Sequence, residues 1–184
     1  PPETRYDILF IGSGYWNRVY FFDGIAPYLA KKHVMIAGWW WDRLQNFHLL
    51  SGKVRNGLWM SAQETAAYYS GAKIVINLHR AHDDESYNKN SLRVPAHSMN
   101  PRTFEICGSG AFQLTDVRLD LHNFYKPGEE IATYESAEEL IAKIEYYLAH
   151  EEERQQIARN GLRRTATDHT YEKRLDAMLS ILTS

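Results

Sequence analysis

Apolar positions in this chain come as short solid runs separated by longer amphipathic stretches. Tyr6-Asp-Ile-Leu-Phe-Ile11 is one such run, and Gly12-Ser13-Gly14 closes it, which predicts a buried strand and a tight turn. A helix is expected from Asn17 to Ala30. Val34 to Ala37 reads as a second buried strand stopped by Gly38, and Val54 to Met60 as a third short one with Gly57 inside it. Ser61-Ala-Gln-Glu64 has the capping-box spacing and opens a helix to about Ser70. Lys73 to Leu78 is a further strand, followed by a long polar, irregular loop from His79 to Met99.

Asn100-Pro101 is a helix start, with Asn as the cap and Pro at the first helical position. Gly108 and Gly110 end that helix, and Ala111 to Thr115 forms the next strand. Ser136 to Glu139 repeats the capping-box spacing. Leu140, Ile141, Ile144, Tyr147 and Leu148 then mark one apolar helix face. Two more helices are expected, over about Glu151 to Thr167 and Tyr171 to Leu182.

Strands alternating with helices imply one Rossmann-like α/β domain, a mostly parallel sheet with helices on both faces. Ligands of such sheets bind at the carboxyl ends of the strands. That rim holds Gly12 to Arg18, Gly38 to Asp42, Met60 to Ser61, His79 to Met99, and Asp116.

Composition narrows the classes. At 184 residues and 44% hydrophobic, the chain can bury a proper core without staples. Its 21 basic and 23 acidic side chains leave no electrostatic footprint for nucleic acid. No apolar run approaches the roughly 20 residues that span a bilayer. The single cysteine, Cys107, and the absence of a visible signal peptide fit a reducing, cytoplasmic setting. Pro1-Pro2 in place of an initial methionine is expected of a segment cut from a longer polypeptide.

Two stretches carry candidate chemistry. In Gly12-Ser-Gly-Tyr-Trp-Asn-Arg18 the glycines let backbone amides approach a phosphate, the helix start adds partial positive charge, and Arg18 adds a full one. A plain turn is the competing reading. In Asn100-Pro-Arg-Thr-Phe-Glu105, Arg102 and Glu105 share a helix face. A cation in the first turn is disfavoured by the helix dipole unless an anion binds there. Glu105 offers acceptors suited to neighbouring ribose hydroxyls; the alternative is a surface ion pair with Arg102.

Phe104-Glu105 to Asp116, with Tyr6 to Arg18, Tyr125-Lys-Pro-Gly-Glu-Glu130 and the tail from His150 to Arg174, resembles the CgeB-like (spore maturation protein type) glycosyltransferases. More broadly, these segments resemble the C-terminal domain of the GT-B fold. The resemblance covers nearly the whole chain in order. It implies binding of a nucleoside-diphosphate sugar, with no cofactor and no essential metal. Glu105 would hold the ribose, Gly12, Ser13, Gly14 and Arg18 would face the diphosphate, and Asn100, Arg102 and Thr103 would lie beside the phosphates and sugar. An N-terminal acceptor domain would complete the enzyme.

Many retaining members carry an acidic residue eight positions before this glutamate, where His97 stands here. No catalytic group is therefore assigned. A non-catalytic nucleotide-sugar-binding or structural protein of the same fold is the alternative. A nicotinamide-dependent oxidoreductase fits less well, since the third glycine of that fingerprint is missing. Trp39, Trp40 and Trp41 are rim aromatics that cover a helix or face a second domain, with stacking on a base as the other reading, and Trp59 and Gly57 are similar rim candidates. Asp83-Asp84-Glu85 reads as solvated loop charge, with an acidic metal-binding triplet as the alternative; His79, His82 and His97 flank the same loop without zinc-like spacing, each a candidate to touch a phosphate or serve as an acid or base.

Overall fold

The computed structural model describes residues 5–84 and 89–182. Six strands form one sheet: β1 (Tyr6–Ile11), β2 (Val34–Gly38), β3 (Val54–Asn56), β4 (Ala72–Asn77), β5 (Gln113–Asp116) and β6 (Ala132–Tyr134). Their order is β3-β2-β1-β4-β5-β6, and every pairing is parallel. This is a doubly wound arrangement, whose strand order reverses between β1 and β4. The helices are α1 (Trp16–Leu29), α2 (Phe47–Leu50), α3 (Ala62–Ser70), α4 (Pro101–Gly108), α5 (Ala137–Ala149), α6 (Glu151–Asp168) and α7 (Tyr171–Leu182).

Strand side chains alternate between two cores, as the pleat requires. Ile8, Phe10, Ile36, Ile74, Ile76 and Leu114 pack on one face against α1, α5 and Ile157 of α6. On the other face, Leu9, Met35 and Val75 meet Tyr69 of α3 and Ile106 of α4. The solid apolar runs of β1, β2 and β4 are therefore buried on both sides.

Local signals set the helix starts. Ser61 and Glu64 form a complete capping box, Ser136 caps α5 through the Glu139 amide, and Asn100 caps α4 through the Thr103 amide. The expected third strand is shorter than Val54 to Met60. It stops at Asn56 because Gly57 turns the chain at φ +73°. Strand β6 and helix α2 carry only three and four residues, too few for a periodic pattern. Helix α7 forms where expected but has no buried residue. Among the described residues no helix is long and apolar enough to cross a membrane.

Candidate functional site

The turns after β1 and β2 touch at the sheet's carboxyl edge. The Gly12 amide donates to the Ala37 carbonyl at 2.8 Å and the Gly14 amide to the Trp39 carbonyl at 2.7 Å. Gly38 adopts φ +138°, and a side chain there would run into the Gly12 carbonyl. Only glycine meets both demands. Trp41 lies beneath, fully buried, and its indole Nε1 donates to the Gly12 carbonyl at 2.8 Å. Of the readings for this ring, covering a helix holds and stacking on a base does not: Trp41 is a core residue packed edge-on against Phe10 of β1 and Phe22 of α1. Trp40 is half-buried, while Trp39 and Trp59 are exposed.

Above Gly12, two cations converge from the two sides of the switch point. A Cβ on Gly12 would stand 2.8 Å from Arg102 Nη2 and 3.2 Å from Arg18 Nη1. Arg18 is only 3% exposed, although it belongs to the first turn of α1. Its Nε donates to the Leu78 carbonyl at 2.9 Å and its Nη1 to the Ser13 carbonyl at 3.0 Å. Arg102 Nη1 reaches Asn77 Oδ1 at 3.5 Å. Both guanidiniums lie over the Phe10 ring, 5.5 and 5.7 Å from its centroid.

This pairing has an electrostatic cost. Burial, and then the Arg102 charge, push the Arg18 pKa down to about 9, with Asp116 opposing. Arg18 stays charged at neutral pH, so the site holds two like charges close together in a partly dry setting. An incoming anion would relieve both. Tyr15, the residue just before α1, supplies no side-chain cap to the helix. The amides of that first turn are left to other partners.

The start of α4 is held by a buried polar network. Asn77 Nδ2 donates to Gln113 Oε1 at 2.8 Å, Thr103 Oγ1 at 3.1 Å and Asn100 Oδ1 at 3.2 Å. The Asn100 backbone amide donates to His79 Nε2 at 3.0 Å, and His79 Nδ1 lies 2.6 Å from Asp116 Oδ1. Accepting at Nε2 requires the neutral ring with its proton on Nδ1, donated to Asp116. His79 is thus a fixed strut with both nitrogens occupied. Arg118 then pairs with Asp116 at 3.3 Å and donates to the carbonyls of Arg80 and Ala96, joining both arms of the long loop.

These elements enclose an open cavity of about 410 Å³ lined by Ser13, Tyr15, Arg18, His79, Arg80, Asn100, Arg102 and Arg118, with Ala96, Ser98 and Met99. Of the sequence candidates, Ser13, Arg18, Asn100 and Arg102 share it, and Gly12 and Gly14 form the turn beneath. Thr103 does not reach the cavity: it is fully buried, with its hydroxyl inside the Asn77 network. Glu105 is exposed and opens onto a neighbouring hollow of about 430 Å³ beside Phe104, His169, Tyr171 and Arg174. Arg102 and Glu105 form no ion pair with each other among the described residues. Tyr69 lies near both; burial raises its pKa to about 12, with Arg102 opposing and Glu105 reinforcing.

His97 is exposed and lies just outside the lining, between Ala96 and Ser98. Glu85, the last of the acidic triplet, lies outside the described residues, and those residues contain no cluster of three or more metal-ligating side chains. Sequence reasoning missed Asn77, Arg80, Arg118 and the closing role of Asp116. Asn77 had a usable signal, a polar residue ending the solid run Ile-Val-Ile. Arg80 and Arg118 had none beyond their charge.

Fold and site together define a doubly wound domain with a cationic notch at its topological switch point. The chain belongs to the glycosyl transferase-like family, which it matches over residues 18–180. It is 34% identical over 115 residues to the spore protein CgeB of Bacillus subtilis (strain 168). That match takes in 62% of this chain and 34% of CgeB, so the chain spans about a third of that relative. Among solved structures it is similar to sucrose-phosphate synthase from Thermosynechococcus elongatus, with 14% identity and TM-score 0.70 over 98% of this chain and 45% of that one. HepE from Anabaena, solved with UDP and glucose, gives 11% identity and TM-score 0.67 over 97% and 48%. The C-terminal domain of a group 1 glycosyl transferase (LpcC) from Francisella tularensis gives 13% identity and TM-score 0.61 over 92% and 88%. These likenesses define the fold as that of a GT-B glycosyltransferase domain.

Proposed function

We propose that this chain is the donor-binding domain of a GT-B glycosyltransferase and that it holds a nucleoside-diphosphate sugar. The observation that carries this reading is the convergence of Arg18 and Arg102 above Gly12, between two helix starts. A diphosphate lying there neutralises both guanidiniums and meets the positive ends of α1 and α4. Ser13 and Asn100 flank it, and Gly12 and Gly14 keep the backbone accessible. Glu105, on the same helix as Arg102, holds the ribose at the mouth of the neighbouring hollow. Thr103 serves indirectly, by fixing the cap of α4.

In transfer, negative charge grows on the departing nucleoside diphosphate. Two fixed arginines and two helix dipoles stabilise it without a metal ion or other cofactor. His79 does not act as a base, because both its nitrogens are engaged in holding Asn100. The acceptor and the catalytic base come from an N-terminal domain outside this chain. Support comes from the family match and from HepE, a protein of the same fold solved with UDP and glucose.

A second reading keeps nucleotide-sugar binding and drops the chemistry. It is favoured by His97, which stands exposed where many retaining relatives have a carboxylate. Calorimetric titration with uridine, guanosine and thymidine diphosphates and with pyrophosphate tests the binding claim. Donor hydrolysis and transfer by the full-length protein then separate the readings. Binding of none of these ligands contradicts both, and binding without turnover favours the second.

A further inference from the structure

The cavity beside Gly12 is lined by four arginines, Arg18, Arg80, Arg102 and Arg118, and by no aspartate or glutamate among the described residues. The arginines fall into an inner and an outer pair. Arg18 and Arg102 meet above Gly12. Arg80 and Arg118 follow the ends of β4 and β5, and Arg118 Nη2 ties them together by donating to the Arg80 carbonyl at 3.2 Å. The pairs adjoin at Tyr15, whose ring centroid lies 3.7 Å from the Arg80 guanidinium and 5.5 Å from that of Arg18. Arg80 is close enough to add to the depression of the Arg18 pKa. Asp116 compensates from behind the lining: its Oδ1 takes the His79 amide and ring, and Arg118 lies 3.3 Å from its Oδ2.

A diphosphate over Gly12 satisfies the inner pair. Its nucleoside leaves toward Glu105, which opens onto the neighbouring hollow and does not line this cavity. The sugar, carried on the other phosphate, then extends into the remainder of the cavity, where Arg80 and Arg118 lie. A neutral hexose offers those guanidiniums only hydroxyls and leaves like charges crowded in a partly dry setting. Asparagine or serine would serve hydroxyls without that cost. A carboxylate presents two oxygens in the geometry that a guanidinium binds in bidentate fashion. Arg118 also has N–H donors beyond those that the Ala96 and Arg80 carbonyls take up. We infer that the donor sugar is acidic, a uronate whose carboxylate is read by Arg80 and Arg118. This rests on the donor-binding reading above and adds to it the chemical class of the sugar.

The test is calorimetry of the chain with pairs of donors that share a nucleotide: UDP-glucose against UDP-glucuronate, and GDP-mannose against GDP-mannuronate. In the pair whose nucleotide the site accepts, the uronate should bind about tenfold or more tighter than the hexose, the scale of a charge-assisted hydrogen bond. Arg80→Gln should cost the uronate at least about tenfold and the hexose less than about threefold, so that the preference collapses. Arg80→Lys, which keeps the charge and loses the bidentate fork, should retain part of it. Equal affinity for uronate and hexose overturns the inference, and so does a preference that survives Arg80→Gln intact. It is also wrong if Arg80→Gln weakens UDP, the hexose and the uronate alike, because Arg80 would then serve the diphosphate. Binding of none of these donors, nor of their free diphosphates, sinks the donor reading and this inference together; binding without a uronate preference sinks the inference alone.

Discussion

Arg18 Nη1 and Arg102 Nη2 come from helices on opposite faces of the sheet and meet over a residue with no side chain, 3.2 and 2.8 Å from where a Cβ on Gly12 would stand. Gly12 does not need positive φ, so its role is space. Gly12→Ala should therefore fold with a stability change within about 1 kcal/mol, while pushing the guanidiniums apart. Calorimetry should record UDP affinity lower by about tenfold or more. Unchanged affinity in a folded variant would mean that the two cations do not share a ligand.

Removing one of the two charges should move stability and binding in opposite directions. The Arg102 guanidinium depresses the Arg18 pKa, which means that it disfavours the charged, folded form of Arg18. Arg102→Gln lifts that repulsion, so the unliganded protein should melt at the same temperature or higher. Its UDP affinity should fall by about 1.5–3 kcal/mol, the scale of a hydrogen bond to a charged group. A scanning fluorimetry series with and without UDP checks both halves.

Glu105 is separated from the arginine cavity, so its contribution should be selective. Glu105→Ala should weaken UDP by about 1–3 kcal/mol and leave inorganic pyrophosphate unaffected. Parallel loss of both ligands would point to a disturbed helix α4 and remove the ribose role.

His79 joins β5 to the start of α4 through Asp116 and the Asn100 amide. His79→Ala leaves that buried amide without its acceptor and should cost about 1–3 kcal/mol in urea unfolding. Because Arg102 follows two residues later, UDP affinity should fall as well. A purely catalytic histidine would show neither effect.

Cys107 gives the expected pH dependence. Burial holds its thiol up to about 12, against an ordinary value of about 9. Between those values the unfolded chain loses a proton that the folded protein keeps, so this group's contribution to stability falls as pH rises. The stability gap between wild type and Cys107→Ala should narrow from pH about 8 to about 10, by no more than roughly 1 kcal/mol per pH unit. Native protein should also leave the thiol unmodified by a disulfide reagent until it unfolds.

Much of this architecture was legible because its signals are local. The apolar runs at Ile8, Ile36 and Ile74, and the caps at Ser61, Asn100 and Ser136, each depend on a few adjacent residues. What escaped depends on distant ones. Arg18 looks like an exposed first-turn cation, and its burial follows from the Leu78 carbonyl 60 positions away. Arg118 acquires its role by gripping both arms of a loop, which no spacing encodes. Thr103 and Glu105 are two apart in sequence, yet one points into the polar network and the other to solvent. Helix α7 shows the converse: its period is plain, but none of its described residues is buried.

The most direct test is a crystal structure of the chain soaked with UDP. The account predicts diphosphate oxygens within about 3 Å of both Arg18 and Arg102 guanidinium nitrogens, with the ribose hydroxyls on Glu105. A nucleotide bound elsewhere, or one whose phosphates touch neither arginine, would contradict it.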